Sequence, residues 1–383
     1  MRGEYSVYSP QQVHDLVSKY IYQYKSWPDF TWQESRINRV FGQVRHFQGR
    51  ILGHMHMLGF AAKEEAALAM LTQDILKSSE IEGEKLDEAQ VRSSIARRLG
   101  INSAGLVTVG RNVEGVVEMM LDATQQFNKP LTHKRLYAWH SALFPTGHSG
   151  MLKIEAGRYR AGEMQIVSGA MGKEKIHYEA VPAERVKAEM DIFLKWFNSA
   201  SAIDPVMKAA IAHFWFIIIH PFDDGNGRIA RALSDLWLAR ADGTKERYYS
   251  MSSQIRIEHK KYYEVLQRVQ HSKGDITEWL EWFLHCLRRA LLASEETMQN
   301  VMRKNDFWKL HEKTEFNVRQ RKMLNRLFDG LEGKLQTSKW AKMSKCSSDT
   351  ALRDIRDLMD KGILRQEASG GRSTNYELAN GGA

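Results

Sequence analysis

His220, Asp224, Arg228 and Arg231 fall within twelve residues, in the run His220-Pro-Phe-Asp-Asp-Gly-Asn-Gly-Arg-Ile-Ala-Arg231. They set a base, a carboxylate and two guanidinium groups around a Gly225-Asn226-Gly227 turn. Glycines let such a turn bring its backbone N–H groups onto an anion. Arg228 and Arg231 are three residues apart, which puts both on one face of the first turn of the helix expected next. The helix dipole disfavours cations at that end. Two of them beside open N–H groups imply a strongly anionic ligand, most simply phosphate. Asp224 flanks the loop and is suited to Mg²⁺, which binds through a carboxylate plus phosphate oxygens. His220 can take a proton from an incoming hydroxyl near neutral pH. Phe222 is expected to turn inward and anchor the loop. A capped helical corner with a core histidine and surface arginines would account for any one of these features, but not for all of them at this spacing.

The elements that position this run follow from patterning. Residues 214–219 are wholly apolar, so His220 is expected where a buried helix ends. Further helices are predicted over 66–81, 87–99, 112–127, 132–143, 183–199, 205–219, 228–241 and 276–293, with a break in the N-terminal part at 26–32. Residues 157–169 and 175–182 carry β-branched and aromatic residues around a Gly-rich middle, which predicts a hairpin. His213 and His285 lie on apolar helical patterns and are expected to be packed rather than catalytic. Residues 336–364 have a helix-turn-helix rhythm, with Ser347 or Ser348 as cap and Gly362 as stop. The sequence from Ile363 to Leu378 then reads as a two-stranded wing, so residues 316–378 are predicted to be a winged helix. That stretch has thirteen Lys and Arg against eight Asp and Glu, which favours a polyanion such as DNA. Against it, Asp349, Asp354, Asp357 and Asp360 crowd the predicted recognition helix. Protein docking and homodimerisation are the other uses this segment allows.

With 383 residues, 43% hydrophobic and 26% charged, the chain has ample core for two or three domains and is not of disordered composition. Its longest apolar run, 211–219, is too short to span a bilayer, and the N-terminus has no apolar signal region. A cytoplasmic protein without membrane contact is the expectation. Cys286 and Cys346 show no pairing or metal spacing, and Walker A and His-Glu-x-x-His patterns are absent.

Residues 220–231 resemble, position for position, the His-x-Phe-x-(Asp/Glu)-Gly-Asn-Gly-Arg-x-x-Arg signature of the Fic family. The resemblance implies a mainly α Fic fold with a β-hairpin flap. It also implies transfer of AMP from ATP, with Mg²⁺, to a Ser, Thr or Tyr hydroxyl of a protein, the chain itself included. The family's phosphotransferring branch has Lys at the second loop glycine, so Gly227 points to nucleotidyl transfer. In these roles His220 is the base and Asp224 holds the metal, while Gly225, Asn226, Gly227, Arg228 and Arg231 hold the phosphates. Ile166, Val167, Ser168 and Gly169 of the flap, with Tyr262 and Tyr263 near the adenine, complete the implied nucleotide contacts. Gln270 stands where relatives often have Asn. Ser78-Ser-Glu-Ile-Glu82-Gly83 is similar to the family's inhibitory motif, in which Glu82 would pair with Arg231 and take the place of the γ-phosphate of ATP. The implied organisation is a helical N-terminal domain over 1–125, with the inhibitory helix near 66–83. A core over 126–293, a helical linker over 294–315 and the winged helix over 316–383 follow. Transfer of another nucleotide such as UMP, removal of AMP, or a DNA-binding regulator that senses nucleotide are the alternative functions.

Overall fold

The computed structural model describes residues 19–57, 59–101, 106–168, 175–328, 331, 333–367 and 374–379. The chain is mainly helical, and its contacts divide it into two units: residues up to 56 with 67–292, and 57–66 with 293–383. The elements in order are α1 (Glu34–Met57), α2 (Phe60–Ile81), α3 (Glu88–Leu99), α4 (Arg111–Gln125), α5 (His133–Leu143), β1 (His148–Ser149), β2 (Leu152–Lys153), β3 (Gln165–Ser168), β4 (Lys175–Glu179), α6 (Val186–Asn198), α7 (Pro205–Ile219) and α8 (Asn226–Asp242). They continue with α9 (Met251–Ile257), α10 (His259–Val269), α11 (Thr277–Leu310), α12 (Val318–Phe328), α13 (Thr337–Ser344), α14 (Ser348–Asp360), β5 (Leu364–Gln366) and β6 (Tyr376–Leu378).

The core of the first unit forms around α7 and α8. Asp204 caps α7 by accepting from Val206 N at 2.8 Å, and Pro205 starts the helix, where its missing N–H is not needed. Every residue from Val206 to Phe216 is buried, as are Ile218 and Ile219, so α7 is enclosed nearly throughout and apolar apart from Lys208 and His213. Helix α8 packs along it and is buried from Asn226 to Ala239, apart from Gly227. His213 is packed inside, between Ser234 Oγ at 3.0 Å and the Tyr262 hydroxyl at 2.9 Å.

Several elements depart from their predicted bounds. Helix α8 begins at Asn226, so Asn226 and Gly227 form its first turn rather than a turn ahead of it. Arg231 therefore lies in the second turn, not the first. Helix α2 starts at Phe60 and α11 runs on to Leu310. Residues 19–33 are not helical, apart from a single 3₁₀ turn at Ile21–Gln23. This segment zips onto the chain after α10, through Ile21 N to Gln270 O at 2.6 Å and Thr31 N to Gly274 O at 2.9 Å. Of the predicted hairpin only β3 and β4 pair, with a register shift between Ile166 and Val167, and residues 157–164 form no strand. The small β1–β2 hairpin had no forewarning in the sequence.

In the second unit, α12, α13 and α14 are followed by the antiparallel β5–β6 pair, and Leu335 adds a bridge to Tyr376. Trp340, Met323, Leu324, Ile355 and Leu358 form its core. Ser347 is the cap of α14, accepting from Thr350 N at 3.2 Å. No helix among the described residues is long and apolar enough to cross a membrane.

Candidate functional site

Helix α7 ends at His220, which adopts a left-handed conformation with φ 50°. A non-glycine residue in that region is held there by its surroundings. The holder is Arg160, a buried arginine whose Nε donates to the His220 carbonyl at 2.8 Å and whose own N–H donates to Pro221 O at 2.9 Å. Its other nitrogens reach Gly162 O at 2.8 Å and the Val181 carbonyl. One guanidinium thus fastens the turn of the base to the start of the flap and to the chain just beyond β4. Nothing in the sequence separates Arg160 from Arg158, which is solvent-exposed.

The His220 ring lies with Nδ1 3.3 Å from Ile217 O, the geometry of an Nδ1–H donor. That tautomer leaves the Nε2 lone pair to accept a proton. Burial lowers the imidazole pKa to about 4, against a smaller opposing effect of the Ile217 carbonyl. The ring is therefore neutral at pH 7, with Nε2 unprotonated.

The loop is closed from within. Asn226 accepts from Phe222 N at 3.0 Å and donates to Phe222 O at 2.8 Å, so its side-chain amide is spent on the loop itself. Phe222 turns inward, fully buried, and stacks on His140 at 4.2 Å between centroids. Gly225 is the N-cap of α8 and offers no side chain to the first-turn N–H groups, which leaves them open to an anion. Asp224 accepts from Gly225 N at 2.5 Å and from the Ser149 hydroxyl on β1. Asp224, a half-buried carboxylate beside an anion seat, fits Mg²⁺ shared with phosphates, and no cluster of three metal-ligating side chains occurs among the described residues.

The tail of α2 supplies anions to both arginines. Gly83, at φ 80°, ends the helix; Gly83 N donates to Glu80 O at 3.1 Å and Glu84 N to Ser79 O at 3.0 Å. These two bonds form a Schellman turn, which needs a glycine at its left-handed position. The turn directs Glu82 and Glu84 back onto α8. Glu82 Oε1 accepts from Arg231 Nη2 at 2.7 Å, while Arg231 Nε and Nη2 donate to Ser78 Oγ and O at 2.8 and 2.9 Å. Burial is the largest single effect on the Arg231 pKa and lowers it, but the charge and hydrogen bond of Glu82 together with Tyr262 and Tyr263 outweigh it, and the net shift is upward. Glu82 also sits directly over the first turn of α8: a Cβ on Gly227 would lie 2.2 Å from Glu82 Oε1. Arg228, stacked over the Phe144 ring at 5.0 Å, donates from Nη1 to Glu84 Oε2 at 2.8 Å. Arg228 Nε and Arg231 Nη1 are buried without a hydrogen-bond partner.

A cavity of about 870 Å³ opens beside these groups, bordered by His220, Glu82, Ile166, Tyr178, Tyr262 and Tyr263. Tyr263 is half-exposed there, whereas Tyr262 is buried with its hydroxyl against His213. Gln270 also lines this cavity. Tyr178 anchors β4 by donating to Ile218 O at 2.6 Å, so the flap is tied to the last turn of α7. Val167 and Ser168 lie on β3, while Gly169 is outside the described residues.

Residues 130–238 match the Fic/DOC family model, and residues 20–101 match a domain of unknown function, DUF4172. A protein adenylyltransferase Fic of Aedes aegypti is 30% identical over 57% of this chain and 40% of its own length. One from Nematostella vectensis is 24% identical over 58% of this chain and 48% of its own length. The chain thus spans less than half the length of these curated relatives. A crystal structure of a Fic family protein from Desulfovibrio desulfuricans superposes over 93% of this chain and 99% of that one, at a TM-score of 0.54 and 22% identity, a likeness of fold.

Proposed function

Since the chain carries a Fic/DOC family domain at residues 130–238, we propose that it transfers AMP from ATP to a hydroxyl of a protein side chain. The observation that carries this reading is the placement of a neutral His220, Glu82 and Gly227 of the uncapped α8 N-terminus around one cavity, with Arg231 ion-paired to that Glu82 and Arg228 to Glu84. The target hydroxyl of Ser, Thr or Tyr gives its proton to His220 Nε2 as its oxygen bonds to the α-phosphorus. The bond from that phosphorus to the β-phosphate oxygen breaks, and pyrophosphate leaves. The N–H groups of the first turn of α8 with Arg228 and Arg231 hold the phosphate charge. Asp224 would hold Mg²⁺, which supplies further charge neutralisation when bound. Phosphate binding at 225–227 falls to the backbone, because the Asn226 side chain is committed to Phe222. Backbone groups of Ile166–Gly169 would border the nucleotide, and the target segment would add as a strand to the flap.

Glu82 restrains this activity. Its carboxylate lies where Arg231 and the first turn of α8 would otherwise meet the terminal phosphate of ATP. Incubation with ATP labelled at the α-phosphate tests both parts. Label on protein is expected to rise at least ten-fold in Glu82→Gly and to return to background in Glu82→Gly/Arg231→Ala. No covalent label from a folded Glu82→Gly protein would refute transfer of AMP and leave a nucleotide sensor. Label from UTP but not ATP would change the nucleotide, and loss of pre-installed AMP would reverse the direction.

Residues 316–378 read as a winged helix, and one observation favours DNA as its partner. Asp354 is turned inward, accepting from Arg319 Nε at 2.7 Å and from Asn317 at 2.9 Å, and Asp357 is neutralised by Lys361 at 2.7 Å. Two of the four aspartates that spoke against phosphate contact are thereby accounted for within the domain, while Arg353 and Arg356 are exposed on α14.

A further inference from the structure

We propose that Glu84 is a second latch on the site, holding Arg228 as Glu82 holds Arg231, so that nucleotide must displace two internal carboxylates. This deepens, and rests on, the reading of residues 220–231 as an ATP-binding site. Three observations lead there. Arg228 is 6% exposed, yet among the described residues its one side-chain hydrogen bond is the 2.8 Å contact to Glu84 Oε2, and its Nε is buried there without a partner. A guanidinium with five donors and one bond made is underused, which is the state expected of a group reserved for a multidentate anion. Glu82 and Glu84 also flank one glycine, and the Schellman turn at Gly83 fixes the backbone of both, so the two carboxylates arrive together. Finally, no other carboxylate or backbone carbonyl among the described residues accepts from Arg228.

The two latches differ in what they block. Glu82 lies over Gly227 and excludes a ligand by occupancy. Glu84 accepts from Arg228 at the side, so it competes for the cation without filling the seat. Removing Glu82 alone then leaves a site that turns over but binds ATP through an arginine still shared with Glu84.

The test is made in the Glu82→Gly background, where the seat is open. Glu84→Gln keeps the size of the side chain and removes the charge. Mg·ATP affinity, read by calorimetry on the full chain, is expected to tighten about five-fold, the size of one part-exposed charge-assisted hydrogen bond. KM for ATP in the labelling assay should fall by a similar factor while kcat stays within two-fold. Glu84→Asp, which keeps the charge, should tighten binding less than Glu84→Gln. Unchanged affinity in Glu84→Gln, with a lower melting temperature, would make the contact merely structural. Weaker binding or a lower kcat would mean that Glu84 positions Arg228 for catalysis; either result overturns the latch. Failure of the underlying reading looks different: Glu82→Gly itself would neither bind Mg·ATP nor label protein.

Discussion

At the scale of single residues, His220 has the most testable chemistry. Its burial keeps the ring neutral, the Ile217 carbonyl orients it with Nε2 free, and Arg160 fixes its backbone. His220→Ala is expected to lower transfer at least a thousand-fold and to leave Mg·ATP affinity within about three-fold, because the phosphate contacts lie on other residues. Labelling at background with unchanged calorimetric binding is the expected pair of results; undiminished labelling would end the role of His220 as base. The depressed pKa has a sign. A base works in its deprotonated form, and a pKa lowered from 6.5 to about 4 keeps that form populated further into acid. The acid limb of kcat/KM in Glu82→Gly should therefore lie near pH 4 to 5. An acid limb at about 6.5 would show a solvated imidazole instead.

At the scale of elements, the Schellman turn at the end of α2 is the joint on which the proposed restraint depends. Gly83 has φ 80° and open space around its Cβ position, so Gly83→Ala adds backbone strain without a clash. That strain, of about 1 kcal/mol, falls on the turn that aims Glu82 and Glu84. Labelling by Gly83→Ala should rise several-fold over wild type with both glutamates intact, and the melting temperature should drop by a few degrees. A labelling rate equal to wild type would show that the carboxylates hold their places without the turn. The same element shows what the sequence could and could not reveal. The α7–loop–α8 corner was legible because its parts are contiguous: an apolar run, a base, a glycine turn and two arginines, all within about twenty residues. Ser78 and Glu82 were legible as a motif. Glu84, Arg160 and Ser149 were not, because each matters only through a partner far along the chain: 144 residues for Glu84 and Arg228, 60 for Arg160 and His220, 75 for Ser149 and Asp224. Periodicity reports which face of an element is buried, and it does not report which distant carbonyl or guanidinium that face meets. The missing strand over 157–164 has the same cause, since Arg160 there bonds to the His220 turn rather than to a ladder.

At the scale of the whole molecule, the winged-helix reading of the second unit makes its own prediction. Arg353 and Arg356 stand exposed on α14. If this face meets duplex DNA, affinity measured by fluorescence anisotropy should fall steeply with salt. Each of Arg353→Ala and Arg356→Ala should flatten the slope of log K against log salt by about 1. Binding that does not change with salt, or with either substitution, would leave protein docking or self-association for this unit. The paired carboxylates of the first unit carry a different kind of consequence. Two arginines buried beside the positive end of α8 would, without counter-ions, burden the native state, since an uncompensated buried charge costs several kcal/mol. Glu82 and Glu84 are those counter-ions, and Arg231 is 2% exposed beneath its partner. Under the restraint proposed above, the resting protein would be folded around its own brake. Glu82→Gly and Glu84→Gln should therefore give up native stability in the absence of nucleotide, by about 1 kcal/mol for each part-exposed charge-assisted bond lost. If both carboxylates act as proposed, foldability and silence are supplied by the same two side chains, so selection for a durable protein also selects for a quiet one.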